Sequence, residues 1–74
     1  MIGKGKISSI TRLHQKKFRD ESGLFIVEGE KMVEEAVHSA FEVSSVYRRE
    51  EIGTQAMSRI TSLSSPSPVL AVVR

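Results

Sequence analysis

The chain is 74 residues long, 8.2 kDa, with neither cysteine nor tryptophan. That length holds one small domain with a thin core, and the missing cysteine excludes disulfide staples, thiolate metal sites and thiol catalysis together. The net charge of +2 conceals a split: residues 1–19 carry Lys4, Lys6, Arg12, Lys16, Lys17 and Arg19 with no acid, while all 9 acidic residues lie between positions 20 and 51.

Met1–Lys6, with Gly3 and Gly5, is expected to be flexible. Ser8 or Ser9 is placed to cap a helix over 8–19. On a helical wheel Ile7, Ile10, Leu13 and Phe18 gather on one side with His14 among them. Arg12, Lys16 and Arg19 fall at i, i+4 and i+7 and predict a basic ridge opposite. Asp20–Gly23 reads as a turn. Leu24–Val27 is an apolar run too short for a helix, so it predicts a buried strand.

A second helix is expected over 30–39, with Met32, Val33, Ala36, Val37 and Ala40 on one face and Glu30, Lys31, Glu34, Glu35 and His38 on the other. Phe41–Tyr47 alternates as a half-buried strand. Arg48–Glu51 reads as a charged turn. Ile52, Ala56, Ile60 and Leu63 mark a third helix, weakened by Gly53. Ser64–Pro68 suits neither helix nor central strand, and Val69–Val73 is a last buried strand. The order is αβαβαβ. Strands separated by single helices predict an α/β fold with a mainly parallel sheet and helices on both faces. A chain that stops on a hydrophobic strand suggests a fragment.

No catalytic constellation stands out. His14 and His38 have no neighbouring ligand at metal spacing, and Glu34 and Glu35 point about 100° apart on a helix. Two histidines cannot build a structural zinc site, and no apolar run approaches the ~18 residues of a membrane span. The cationic first quarter carries more signal. Arg12, Lys16, Lys17 and Arg19 suit phosphates, and Tyr47, Arg48 and Arg49 add an aromatic ring and two guanidiniums. The alternatives are a solvated basic face or a targeting presequence. Glu28-Gly29 sits at the carboxyl end of a strand, where ligands gather in parallel sheets; a plain turn is the other reading.

The string Ile10-x-x-Leu13-x-x-Lys16-Lys17-Phe18-Arg19, followed by Gly23-Leu24-Phe25-Ile26-Val27-Glu28-Gly29-x-Lys31-x-Val33-x-Glu35-Ala36, resembles the amino-terminal domain of SpoU-type (TrmH-like) RNA ribose methyltransferases. The ending Pro66-x-x-Val69-Leu70-Ala71-Val72-Val73 does so too. The resemblance implies a substrate-binding module with the α/β fold of ribosomal proteins that grip kinked RNA. Lys16, Lys17, Arg19, Glu28, Gly29 and Lys31 fall on the family's signature positions. It further implies a knotted SPOUT-class catalytic domain after residue 74. That domain would bind S-adenosylmethionine, methylate a ribose 2′-hydroxyl and dimerise. Two departures stand out. Arg48–Glu51 pass almost directly into the last helix, where relatives carry an extra strand and helix. Pro66-Ser67-Pro68 replaces the usual Pro-Gln-Gly.

The expected function is therefore RNA recognition for a cytoplasmic ribose methyltransferase acting on ribosomal RNA. The chain itself would be non-catalytic, hold no cofactor or metal and need no membrane. A stand-alone ribosomal-type RNA-binding protein and a protein-interaction module are the alternatives.

Overall fold

A computed structural model describes residues 2–61 and 67–74. Chain order is α1 (Lys4–Arg12), α2 (Lys16–Ser22), β1 (Phe25–Glu28), α3 (Glu30–Val37), β2 (Val43–Arg48), α4 (Arg49–Ile52), α5 (Thr54–Ile60) and β3 (Val69–Val73). The three strands form one sheet in the order β1-β3-β2. β3 pairs antiparallel with both neighbours, from Phe25 opposite Val73 to Glu28 opposite Leu70, and from Val43 opposite Val73 to Arg48 opposite Val69.

The α/β class holds, but the expected mainly parallel sheet is corrected to an antiparallel one. β1 and β2 do run the same way, joined through α3, yet they are not neighbours. β3 returns between them in the opposite direction, a split β-α-β arrangement. Its unbroken apolar run reflects its central position, since a strand covered on both faces reads as continuous whatever its direction. All five β3 residues are buried.

The core lies on both faces of that strand. On one face Leu70 and Val72 meet Ile10 and Leu13 from the α1 end and Met57 and Ile60 from α5. On the other, Val69, Ala71 and Val73 meet Val33 and Ala36 of α3. Burying each large apolar side chain contributes about 1.5–3 kcal/mol. β3, touched from both sides, is thus the strand the fold is built around.

Five local expectations change. Met1 lies outside the described residues, and residues 2–6 are not a loose arm: Gly3 caps α1, which begins at Lys4, and Ile2 and Ile7 pack on the core. Ser8 and Ser9 lie inside that helix, and Ser9 Oγ donates back to the Gly5 carbonyl at 2.9 Å. The single helix over 8–19 is broken between Arg12 and Lys16, where Gln15 is extended at φ −102°, ψ 131°. One long-range and one local bond hold the corner: His14 Nε2 donates to the Ile60 carbonyl at 2.6 Å, and the Arg19 guanidinium to the Leu13 carbonyl at 3.0 Å. The third helix is likewise split by Gly53, at φ 92°, ψ 152°, a conformation that favours glycine. The charged turn before it is the short helix α4.

The α3 face is narrower than expected. Only Val33 and Ala36 are buried, while Met32 and Val37 are 50% and 53% exposed. α3 packs over β1 and β3, so one seam of the helix is enough. In β2 exposure alternates as expected from Val43 to Arg48, but Phe41 lies outside the strand and is exposed. A bulge between Val43 and Ser45 also places Val43 on the α3 side and Tyr47 on the α1–α5 side. The expected Leu63 packing and most of the Ser64–Pro68 break fall outside the described residues.

Candidate nucleic-acid interface

The charged residues singled out in the sequence fall into two groups. The first gathers where β1 and β2 end. Gly29 N–H donates to the Val69 carbonyl at 3.0 Å and Arg49 N–H to the Pro68 carbonyl at 2.9 Å, so the two strand ends bracket the start of β3. Glu28, Gly29, Lys31, Arg48 and Arg49 therefore share one end of the sheet. Arg48 lines a cleft with Glu30, Glu34 and His38 of α3. Its guanidinium thus stands among carboxylates as well as facing solvent.

Glu28 points inward at that end. Its carboxylate accepts hydrogen bonds from Ser67 Oγ at 2.6 Å and from Thr61 Oγ1. Those hydroxyls come from the residue after α5 and from just before β3, so Glu28 ties three segments together. Gly29 adopts φ 93°, ψ 148°, and a Cβ built there meets no atom within 4 Å. The backbone conformation, not crowding, favours glycine at this position. Its carbonyl accepts from Val33 N–H at 3.0 Å, which starts α3.

The second group sits at the α1–α2 corner. The break removes the expected continuous ridge of Arg12, Lys16 and Arg19, since the three residues no longer share one helix. Arg19, half-buried, braces the corner through Leu13. Lys16 pairs with Asp20 at 2.7 Å, both side chains well exposed; such a pair is worth about 0–1 kcal/mol, so its cation remains exchangeable. Arg12 and Lys17 approach the Phe18 ring, at 5.6 and 5.8 Å from its centroid. His14 is satisfied by Ile60, and His38 is exposed beside α3.

Arg59 is the residue sequence reasoning passed over. α5 packs beside α1, and Arg59 lines a cleft with Lys4, Thr11, Arg12 and Gln15. Periodicity placed it off the apolar face, but nothing in the sequence said which helix it would meet. Lys4, Lys6, Arg12, Lys17 and Arg59 consequently stand on the α1–α2–α5 side. α3, on the other side of the sheet, carries Glu30, Glu34 and Glu35. Cations outnumber acids on the first side, where α2 also carries Asp20 and Glu21, and acids outnumber the single Lys31 on α3.

Among the described residues no cluster of His, Cys, Asp or Glu could hold a metal ion, and no helix is long and apolar enough to cross a membrane.

Residues 4–72 match the MRM3-like substrate binding domain family. The chain belongs to that family. A solved structure described as an RNA 2′-O ribose methyltransferase superposes with a TM-score of 0.81 at 18% identity. The match covers 97% of this chain and 35% of that one, so the domain spans about a third of that protein's length. No curated protein sequence matches it. Both charged groups of this MRM3-like domain lie inside the matched span. So do the Lys16–Arg19 and Phe25–Lys31 blocks that carried the resemblance.

Proposed function

We propose that this chain is the RNA-docking domain of an S-adenosylmethionine-dependent 2′-O-ribose methyltransferase. One observation carries the reading. Lys4, Lys6, Arg12, Lys17 and Arg59, from three helices, stand on one side of the sheet, away from the acidic α3. The substrate-binding family and the description of the matched structure support it.

The mechanism is positional. Each lysine or arginine that neutralises a phosphate releases counterions, which drives association. Held this way, the RNA presents its target ribose to a catalytic centre in another domain, and that pre-arrangement lowers the barrier entropically. Arg12, Lys16 and Lys17 take phosphates directly. Arg19 acts through the corner it braces. Lys31, Arg48 and Arg49 offer a second contact at the sheet end, which Glu28 and Gly29 shape. S-adenosylmethionine would supply the methyl group from a separate catalytic domain, which would also make the homodimer. Ribosomal RNA in the cytoplasm is the proposed setting.

The test is RNA affinity, by fluorescence anisotropy, of the wild type against Arg12→Glu/Lys17→Glu/Arg59→Glu. The triple variant should bind at least tenfold more weakly at low salt. Equal affinity would sink the docking reading. A second reading, a protein-interaction module, rests on the exposed Met32 and Val37 of α3. It expects Met32→Asp/Val37→Asp to abolish partner binding, whereas the docking reading expects that variant to bind RNA normally.

A further inference from the structure

A cleft of about 370 Å³ opens between α1, α2 and the outer strand β2. Its origin is local. The bulge at Val43/Ser45 turns Ser45 onto this face opposite Val72, and a serine leaves space there that a larger side chain would fill. The corner after Arg12 then carries α2 over the gap. Phe18 from α2 and Tyr47 from β2 both line the cleft, and Lys6, Arg12 and Glu21 stand around it. Arg12 lies 5.6 Å from the centroid of the Phe18 ring, so cation and aromatic share a wall.

The volume falls within the range of small-ligand sites, roughly 300–1,000 Å³. The chemistry of the lining is mixed in a specific way. Two aromatic rings line it, and a base can stack on such a ring; Arg12 and Lys17 lie over the Phe18 ring, whose face opens to a base when a cation turns to the phosphate. Two cations offer charge to a phosphate. One carboxylate can accept only from an N–H or O–H donor.

The geometry points to a site for one unpaired nucleotide of the RNA, its base against Phe18 and Tyr47 and its phosphate toward Arg12 and Lys6. This rests on the RNA-docking reading and deepens it, since unpaired bases are where proteins read RNA sequence. Glu21 repels the phosphate from its own end of the cleft and so orients the nucleotide. It also accepts from an exocyclic amine, as acidic side chains do from cytosine N4. The site therefore prefers cytidine to uridine, which presents a carbonyl at that position.

The experiment compares short single-stranded oligocytidine and oligouridine on the 74-residue chain. It uses Phe18→Leu, which keeps the apolar bulk without the aromatic face, and Ser45→Trp, which fills the cleft from the strand. Oligocytidine should bind more tightly than oligouridine, and both variants should lose about tenfold, the scale of one base–aromatic stack. Glu21→Gln should narrow the difference between the two oligonucleotides. Folded variants that bind as the wild type does would overturn the proposal. If both variants unfold, a cytidine monophosphate titration of the wild type decides it. Amide shifts confined to Phe18, Ser45 and Tyr47 support the site, and shifts elsewhere or none overturn it. Loss of affinity in Arg59→Glu but not in Phe18→Leu leaves docking standing and the cleft refuted. Absence of all RNA binding, with monophosphate shifts still confined to the cleft, refutes docking and leaves the nucleotide site.

Discussion

Ser67 Oγ donates to the Glu28 carboxylate at 2.6 Å across 39 positions of sequence. The bond joins Ser67, two residues before β3, to the last residue of β1, and Thr61 Oγ1 donates to the same carboxylate. Ser67 is buried and Glu28 half-buried, so water cannot readily replace either partner. Hydrogen bonds to charged groups contribute about 1.5–3 kcal/mol, and a buried polar atom left unsatisfied costs about 1–3 kcal/mol. Glu28→Ala should therefore destabilise the domain by about 2–3 kcal/mol and Ser67→Ala by about 1 kcal/mol. At about 4–8 °C per kcal/mol for a domain of this size, thermal melting should resolve the two. Equal melting temperatures for Glu28→Ala and the wild type would remove Glu28 as a structural tie and return it to the ligand-facing strand end that its sequence position suggested.

Gly29 and Gly5 make a matched pair, because an added Cβ meets no atom within 4 Å at either. The difference lies in the backbone. Gly29 sits at φ 93°, where a side chain is strained by about 1–3 kcal/mol. Gly5 lies in the first turn of α1, where alanine is favoured by up to about 1 kcal/mol. Gly29→Ala should lower the midpoint of urea unfolding and Gly5→Ala should raise it. A Gly29→Ala variant as stable as the wild type would mean that the turn relaxes to a negative φ.

Much of this architecture was legible in the sequence, and the misses have physical causes. The runs at 24–27 and 69–73 announced strands; full burial holds for β3, whereas β1, at the sheet edge, is half-buried throughout. Apolar continuity reports coverage. It does not report direction, so the parallel sheet was the wrong inference from a correct observation. The wheel over 8–19 grouped Ile10, Leu13 and Phe18 correctly, since all three turn toward the same face of the sheet. It missed the corner between them. That corner depends on the Ile60 carbonyl, and a helical wheel contains no backbone from elsewhere in the chain. Arg59 escaped notice for the same reason: its value comes from lying beside Lys4 and Arg12, which only the packing of α1 on α5 brings about.

The core ledger predicts a sharp contrast between residues of similar hydropathy. Met57 is fully buried between α5 and the sheet, whereas Met32 is half exposed on α3. Met57→Ala should cost about 2–5 kcal/mol through lost transfer energy and a cavity. That is a large share of the roughly 5 kcal/mol expected for so small a domain. Met32→Ala should change stability by less than about 0.5 kcal/mol. Chemical denaturation of the two variants checks this directly. A severe Met32→Ala effect would place a partner, or a second copy, over α3.

Arg19 and Lys17 are separated by two positions and should separate cleanly by experiment. The Arg19 guanidinium donates to the Leu13 carbonyl at 3.0 Å and is half-buried. Lys17 is exposed and touches the Phe18 ring at 5.8 Å. Arg19→Ala should cost stability, about 1 kcal/mol after allowing for its partial exposure. Lys17→Ala should leave stability nearly unchanged. RNA affinity should respond the other way. If Lys17 neutralises a phosphate, its loss lowers the slope of log affinity against log salt by about 0.7–0.9. Arg19→Ala, once the fraction folded is corrected for, should keep the wild-type slope. Two salt titrations with one thermal melt each distinguish the roles. A reduced slope in Arg19→Ala alone would mean that the guanidinium leaves Leu13 for the phosphate when RNA arrives, and the corner at Gln15 would then be part of the binding step.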